Sequence, residues 1–214
     1  MGVPDVANRA VQVSAAGGPL VLGALVSGTG RSVLNLHQAI QSGALCAKLA
    51  VVVALRPDVP AVEKCRHHGL TVMVVPPEPA ETLDDRLDAV LRAHHVDVVC
   101  LCGYLRKFRV GAWAGRAVNI HPALLPAFGG KGMYGQRVHE AVLAAGVAES
   151  GCTVHLVDDE YDHGPTLLQL RCPVLPGDTP QTLAARVFAL ECQAYPAAIE
   201  KLVPGTPVPT FHRK

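Results

Sequence analysis

Aromatic side chains make up only 4% of the sequence, and charge is nearly balanced, with 19 Lys and Arg against 18 Asp and Glu for a formal net charge of +1. The Arg and Lys residues are scattered, so the basic stripe or aromatic-and-Arg strand pair of a nucleic-acid-binding surface is missing. No apolar run reaches the length that spans a membrane. Residues 1–18 lack the positively charged start and apolar centre of a secretory signal. Seven cysteines, an odd number, include no Cys-x-x-Cys pair. Cys46, Cys100, Cys102, Cys152 and Cys172 lie in apolar runs. Small buried thiols in a reducing cytoplasm are therefore expected, not disulfides or structural zinc. No repeat, linker or low-complexity stretch marks a second domain.

Half of the 214 residues are hydrophobic. A chain of that length suits one domain that buries roughly 70% of its unfolded surface. The expected layout is a loose leader over 1–18, one domain over 19–203 and an unstructured tail over 204–214. Residues 19–27 and 96–102 are continuous apolar runs, the pattern of strands buried on both faces. Strands are also predicted over 47–55, 70–75, 115–120, 152–157 and 166–174. Apolar positions at helical spacing predict helices over 31–43, 59–68, 82–95, 136–145 and 179–202. The alternation predicts an α/β, single-domain, doubly wound, mostly parallel sheet with an antiparallel C-terminal extension, its ligands bound beyond the C-terminal ends of the strands.

Two sets of residues carry chemistry. Gly28, Thr29 and Gly30 turn the first strand into the first helix, followed by Arg31 and Ser32. Backbone N–H groups at such a turn suit an anion, and Arg31 and Ser32 add phosphate contacts. Val33 stands where a dinucleotide fingerprint needs a small residue, and no Gly-Lys-Ser/Thr is present, which disfavours NAD and ATP. A tight turn chosen for geometry alone and a monophosphate site both remain open. Asn119 and His121 alternate along a strand, so they share a face at its exit, and Pro122 and Pro126 stop the strand. An amide N–H and an imidazolium N–H both stabilise an oxygen that turns negative when a carbonyl is attacked, and a carboxylate keeps the imidazole charged.

Other groupings are weaker. A zinc site from His121, His155 and Asp162 is conceivable but lacks the two-His helical spacing of common metalloenzymes, and no metal is expected. Cys152 and His155 would face opposite ways on a strand, which argues against a Cys–His nucleophile. His155 serves as packing or as support for the site.

The chain resembles the phosphoribosylglycinamide formyltransferase (glycinamide ribonucleotide transformylase) family of folate-dependent enzymes from about residue 20 to about 202. The likeness is carried by Ser27-Gly28-Thr29-Gly30, Gly103-Tyr104-Leu105-Arg106, Asn119-Ile120-His121-Pro122-Ala123-Leu124-Leu125-Pro126, Gly151-Cys152-Thr153-Val154-His155, Asp162-His163-Gly164-Pro165, and Glu191 with Tyr195-Pro196. It implies a Rossmann-like formyltransferase fold and formyl transfer from 10-formyltetrahydrofolate, a co-substrate, to glycinamide ribonucleotide in purine biosynthesis. Small molecules would be the only partners, with no nucleic acid and no membrane, and the state a monomer or homodimer.

The family's catalytic Asn, His and Asp fall on Asn119, His121 and Asp162, the last keeping His121 protonated. The substrate phosphate falls on Gly28, Thr29, Gly30, Arg31 and Ser32, and the substrate amine end on Glu191. Folate falls on Leu105, Arg106, Lys107, Phe108, Asp158, Asp159, Glu160 and Tyr161. The chain departs from the family pattern in two places. Arg31-Ser32 stands where Ser-Asn is frequent, which redraws the phosphate contacts around a guanidinium. The Gly129–Gly135 segment is a glycine-rich flap, either a lid over the site or a surface detour. Related acceptors (methionyl-tRNA, an amino sugar, water) and a non-catalytic nucleotide-binding module on the same sheet are the alternatives.

Overall fold

A computed structural model describes residues 18–202; the expected leader up to residue 17 and the expected tail lie outside the described residues. Seven strands and five α-helices alternate: β1 (Leu20–Val26), α1 (Arg31–Gln41), β2 (Ala47–Ala54), α2 (Pro60–His67), β3 (Val72–Val74), α3 (Leu83–Ala93), β4 (Val98–Cys102), β5 (Ala117–His121), α4 (Gln136–Ala144), β6 (Glu149–Leu156), β7 (Thr166–Pro173) and α5 (Pro180–Glu200). The strands form one sheet in the order β3-β2-β1-β4-β5-β6-β7. β3, β2, β1, β4 and β5 run parallel, whereas β6 and β7 are antiparallel to their neighbours. This is the doubly wound, mostly parallel sheet with an antiparallel extension that the alternation predicts.

The sheet is covered on both faces, which explains why β1 and β4 read as unbroken apolar runs. Leu20, Leu22, Ala24 and Val26 of β1 join a core with Val33 and Leu36 of α1 and with Leu183, Val187 and Tyr195 of α5. Leu25 points to the other side, into a core with Leu87 and Leu91 of α3 and with Trp113. Complete burial of each such Leu is worth about 1.5–3 kcal/mol. Gly23 lies close under the α3 face, where a Cβ would sit 2.7 Å from Leu91 Cδ2 and force that side chain to shift.

Several boundaries differ from the sequence reading. β4 starts two residues late because the Val96 N–H closes the end of α3 on the Leu91 carbonyl, and the Asp97 side chain accepts from the Val21 N–H. β6 begins at Glu149, three residues earlier than expected, since the polar and small residues Glu149, Ser150 and Gly151 hide a strand that pairs with β7. Gly151 fits only as glycine: an added Cβ would lie 2.0 Å from the Leu170 oxygen.

Candidate active site

β1, β4 and β5 all end on one side of the sheet, at the place where the strand order reverses between β1 and its neighbours β2 and β4. A cavity of about 750 Å³ opens there. Gly28 to Ser32, Leu105 to Phe108, Asn119, His121, His155, Asp158, Glu160, Tyr161, Asp162 and Glu191 all border it. Asp159 does not border it; the loop turns at Asp158, which accepts from the Glu160 N–H and pairs with His163.

The polar centre is assembled by the reversal of strand direction between β5 and β6. Antiparallel register sets Asn119 opposite His155 and His121 opposite Thr153. Thr153 fixes the turn after β5, since its Oγ donates to the Ala123 carbonyl and accepts from the Leu125 N–H. Asp162 enters from the loop between β6 and β7 with a left-handed backbone, φ 54°. Its Oδ1 accepts from Asn119 Nδ2 at 3.2 Å, and its Oδ2 accepts from the Gly130 N–H at 3.0 Å and lies 3.4 Å from His121 Nδ1. The three residues singled out in the sequence therefore converge, with His155 beside them.

Proton positions follow from the acceptors. His121 Nε2 lies 2.8 Å from the Phe128 carbonyl and His155 Nδ1 2.8 Å from the Leu156 carbonyl, and a carbonyl only accepts, so both nitrogens carry hydrogen. His155 Nε2 is left to accept from Asn119 Nδ2 at 3.1 Å. Both N–H groups of the Asn119 amide thus rest on protein acceptors, and His121 Nε2–H rests on the loop. One Asn119 N–H and the Gly130 N–H therefore point at Asp162, and the His121 Nε2–H points at the Phe128 carbonyl.

Burial lowers the His121 pKa, and this outweighs the opposing pull of Asp162 and of the Phe128 carbonyl. With Nε2–H on the Phe128 carbonyl and Nδ1 facing the Asp162 carboxylate, burial and the carboxylate act on the ring's charge in opposite directions. Burial alone would raise Asp162, but His155, His121 and the Gly130 N–H together bring it below the ordinary carboxylate range. A proton arriving at His121 Nδ1 would be held between the ring and an ionised carboxylate. His121, His155 and Asp162 are the residues of the conceivable zinc set. Among the described residues no group of three or more His, Cys, Asp or Glu side chains is arranged to hold a metal ion.

Bordering the same cavity, α1 follows Gly30, φ 76°, with no side-chain cap and no acidic residue in its first turn. Its first N–H groups have no partner within the helix. Gly30 is pressed on α2, where an added Cβ would lie 3.0 Å from Ala61 Cβ. The Arg31 guanidinium stacks over the Phe188 ring of α5, 4.1 Å from its centroid. Glu191 has its pKa raised to about 7 by burial, with Arg31 pulling it partly back.

The sequence reading missed Arg137 and His139 of α4, which also border the cavity, as do Lys131, Met133 and Tyr134 of the flap. The flap is part of the wall, not a surface detour. A polar residue at 139, flanked by the buried Val138 and close to Val142 on the apolar stripe of α4, was the available signal for His139.

The Formyl transferase family profile matches residues 22–199. The chain is 41% identical over 181 residues to the chloroplastic phosphoribosylglycinamide formyltransferase of Arabidopsis thaliana, an overlap of 81% of this chain and 62% of that protein. It superposes on the crystal structure of glycinamide ribonucleotide transformylase 1 from Symbiobacterium toebii with a TM-score of 0.80 and 36% identity, over 86% of this chain and 87% of that one. For phosphoribosylglycinamide formyltransferase from Bacillus halodurans the TM-score is 0.79 at 30% identity, over 90% of this chain and 100% of that one. The chain spans about six tenths of the length of the curated Arabidopsis relative. The matched span runs from β1 into α5 and takes in every residue that borders the cavity, and the chain belongs to the formyl transferase family.

Proposed function

We propose that the protein transfers a formyl group from 10-formyltetrahydrofolate to the amine of glycinamide ribonucleotide, in de novo purine biosynthesis. The observation that carries this reading is one cavity bordered both by Asn119, His121 and Asp162 and by an uncapped helix N-terminus beside Arg31. Such a cavity suits a substrate that is reactive at one end and phosphorylated at the other. The names and identities of the similar proteins support the same choice.

In this reading the acceptor amine attacks the formyl carbon, and the carbonyl oxygen becomes an oxyanion. Asn119 turns one N–H from its protein acceptor to that oxygen. Neutral His121 takes the proton that the amine nitrogen sheds, Asp162 holds the resulting charge, and the proton passes to N10 as the bond from N10 to the formyl carbon breaks. The phosphate lies on Gly28, Thr29, Gly30, Arg31 and Ser32. Folate lies against Leu105, Arg106, Lys107, Phe108, Asp158, Glu160 and Tyr161. The amine must reach the formyl carbon near Asn119, whereas the charged neighbour of Glu191 is Arg31. Glu191 therefore faces the sugar hydroxyls, in place of the amine end it was expected to take.

All seven cysteines are free, which supports the cytoplasm or another reducing compartment as the location. Among the described residues no helix is long and apolar enough to cross a membrane.

The test is a spectrophotometric assay of folate deformylation. Deformylation that depends on glycinamide ribonucleotide is the expected result. Deformylation independent of it would make water the acceptor, and an inactive protein that still binds the ribonucleotide would be a binding module; either outcome overturns the proposal.

A further inference from the structure

The anion site at the start of α1 has a second wall. His139 of α4 is 5% exposed, borders the cavity, and has its Nδ1 buried without a hydrogen-bond partner. A neutral imidazole carries one N–H. On Nδ1 that N–H would be a buried, unsatisfied donor, an arrangement proteins avoid. The proton therefore belongs on Nε2, the other nitrogen of a ring that borders the cavity. Burial, and then the neighbouring His121 and Arg31, lower the His139 pKa, so the ring is a neutral donor in search of an acceptor.

Arg31 supplies the neighbouring charge. Its guanidinium lies over the Phe188 ring, a contact that fixes the orientation of an otherwise mobile side chain. The first N–H groups of α1, an 11-residue helix, open beside it. No carboxylate caps this helix end, and its first turn has no acidic residue. Donors thus arrive from α1 and α4, with α5 holding the guanidinium in place.

We propose that His139 is a substrate-binding residue whose Nε2–H, with Arg31 held by Phe188 and the open N-terminus of α1, completes a two-sided cradle for a phosphate monoester. The inference deepens the proposed function and rests on its phosphorylated acceptor, adding a specificity contact from a helix not otherwise used. Phosphate oxygens accept from all three sources, and a non-phosphorylated acceptor would leave the buried His139 unsatisfied.

The test uses calorimetric titration with inorganic phosphate and steady-state kinetics on the full chain, wild type against His139→Ala and His139→Gln. His139→Ala should weaken phosphate binding about tenfold, equivalent to about 1.4 kcal/mol. It should raise KM for the ribonucleotide by a similar factor and leave KM for the formyl-folate unchanged. His139→Gln, whose amide N–H reaches the region of Nε2, should restore most of both. Equal phosphate affinity in wild type and His139→Ala at similar thermal midpoints would overturn the inference. So would a rise of both KM values that His139→Gln does not rescue. If phosphate binding depends on His139 while ribonucleotide-dependent deformylation is absent, the cradle stands and the proposed reaction falls.

Discussion

At the residue scale the site turns on Asp162. A non-glycine residue at φ 54° bears a strain of order 1 kcal/mol, and here donors from β5 and the flap hold the carboxylate that needs it. Asn tolerates the same backbone. Asp162→Asn therefore separates charge from shape, and Asn119→Ala removes an N–H donor. Each is expected to lose about 10²–10³ in turnover with the fold retained. Near-wild-type turnover in either, at an unchanged thermal midpoint, would remove that residue from the mechanism. Glu191 makes a prediction about stability. Its carboxyl titrates at about 7 in the folded chain and from 4.5 as the ordinary value. The folded state thus holds a proton that the unfolded state has released. The contribution is complete below the ordinary value and is lost as pH rises through 7, on the order of 3 kcal/mol. Chemical denaturation of Glu191→Gln should show a flatter fall in stability between those pH values and a more stable protein above neutrality; identical pH profiles would contradict the burial of this carboxyl.

At the element scale, the loop between β6 and β7 is shaped by Gly164. A Cβ at that position would lie 1.9 Å from the Leu156 oxygen, a main-chain atom that cannot yield cheaply. Gly164→Ala must push the loop off the end of β6 and carry Asp162, two residues earlier, away from His121. The thermal midpoint should fall, by about 2–4 °C for each kcal/mol in a chain of this size, and turnover should fall further than global stability explains. A variant with normal turnover would show that the loop bends without moving its carboxylate.

The contrast between elements explains what was legible in the sequence. β1 and β4 were plain because burial on both faces demands apolar residues throughout. Asn119 and His121 were plain because two polar residues at strand spacing interrupt an apolar run. The engagement of their donors was not legible, since it depends on the Phe128 carbonyl and on Asp162, which only the folded loops bring near. Nor was the Arg31–Phe188 stack, whose members are far apart in sequence and meet because α1 and α5 share one core. The burial that lowers the His121 pKa was not legible either, because it depends on everything packed around the ring.

At the scale of the whole molecule, the parallel strands β1, β4 and β5 deliver their C-terminal ends to one cavity, while the antiparallel pair brings His155 and Asp162 to complete it. α5 crosses the sheet and is fastened by Tyr195, whose hydroxyl lies 3.0 Å from the Leu101 carbonyl of β4 and 3.2 Å from the Val118 carbonyl of β5. One turn earlier the same helix presents Glu191, and nearly another turn earlier Phe188. A ribonucleotide seated between Arg31 and Glu191 would tie the first helix to the last. Amide hydrogen exchange in α1 and α5 should then slow together on adding the ribonucleotide, with α3, on the opposite face, little changed; slowing confined to α1 would mean that α5 does not take part. Because α1 and α5 share the core of one sheet face, a ligand bridging them would lend its binding free energy to the closure of that core, and resistance to unfolding would rise with metabolite concentration.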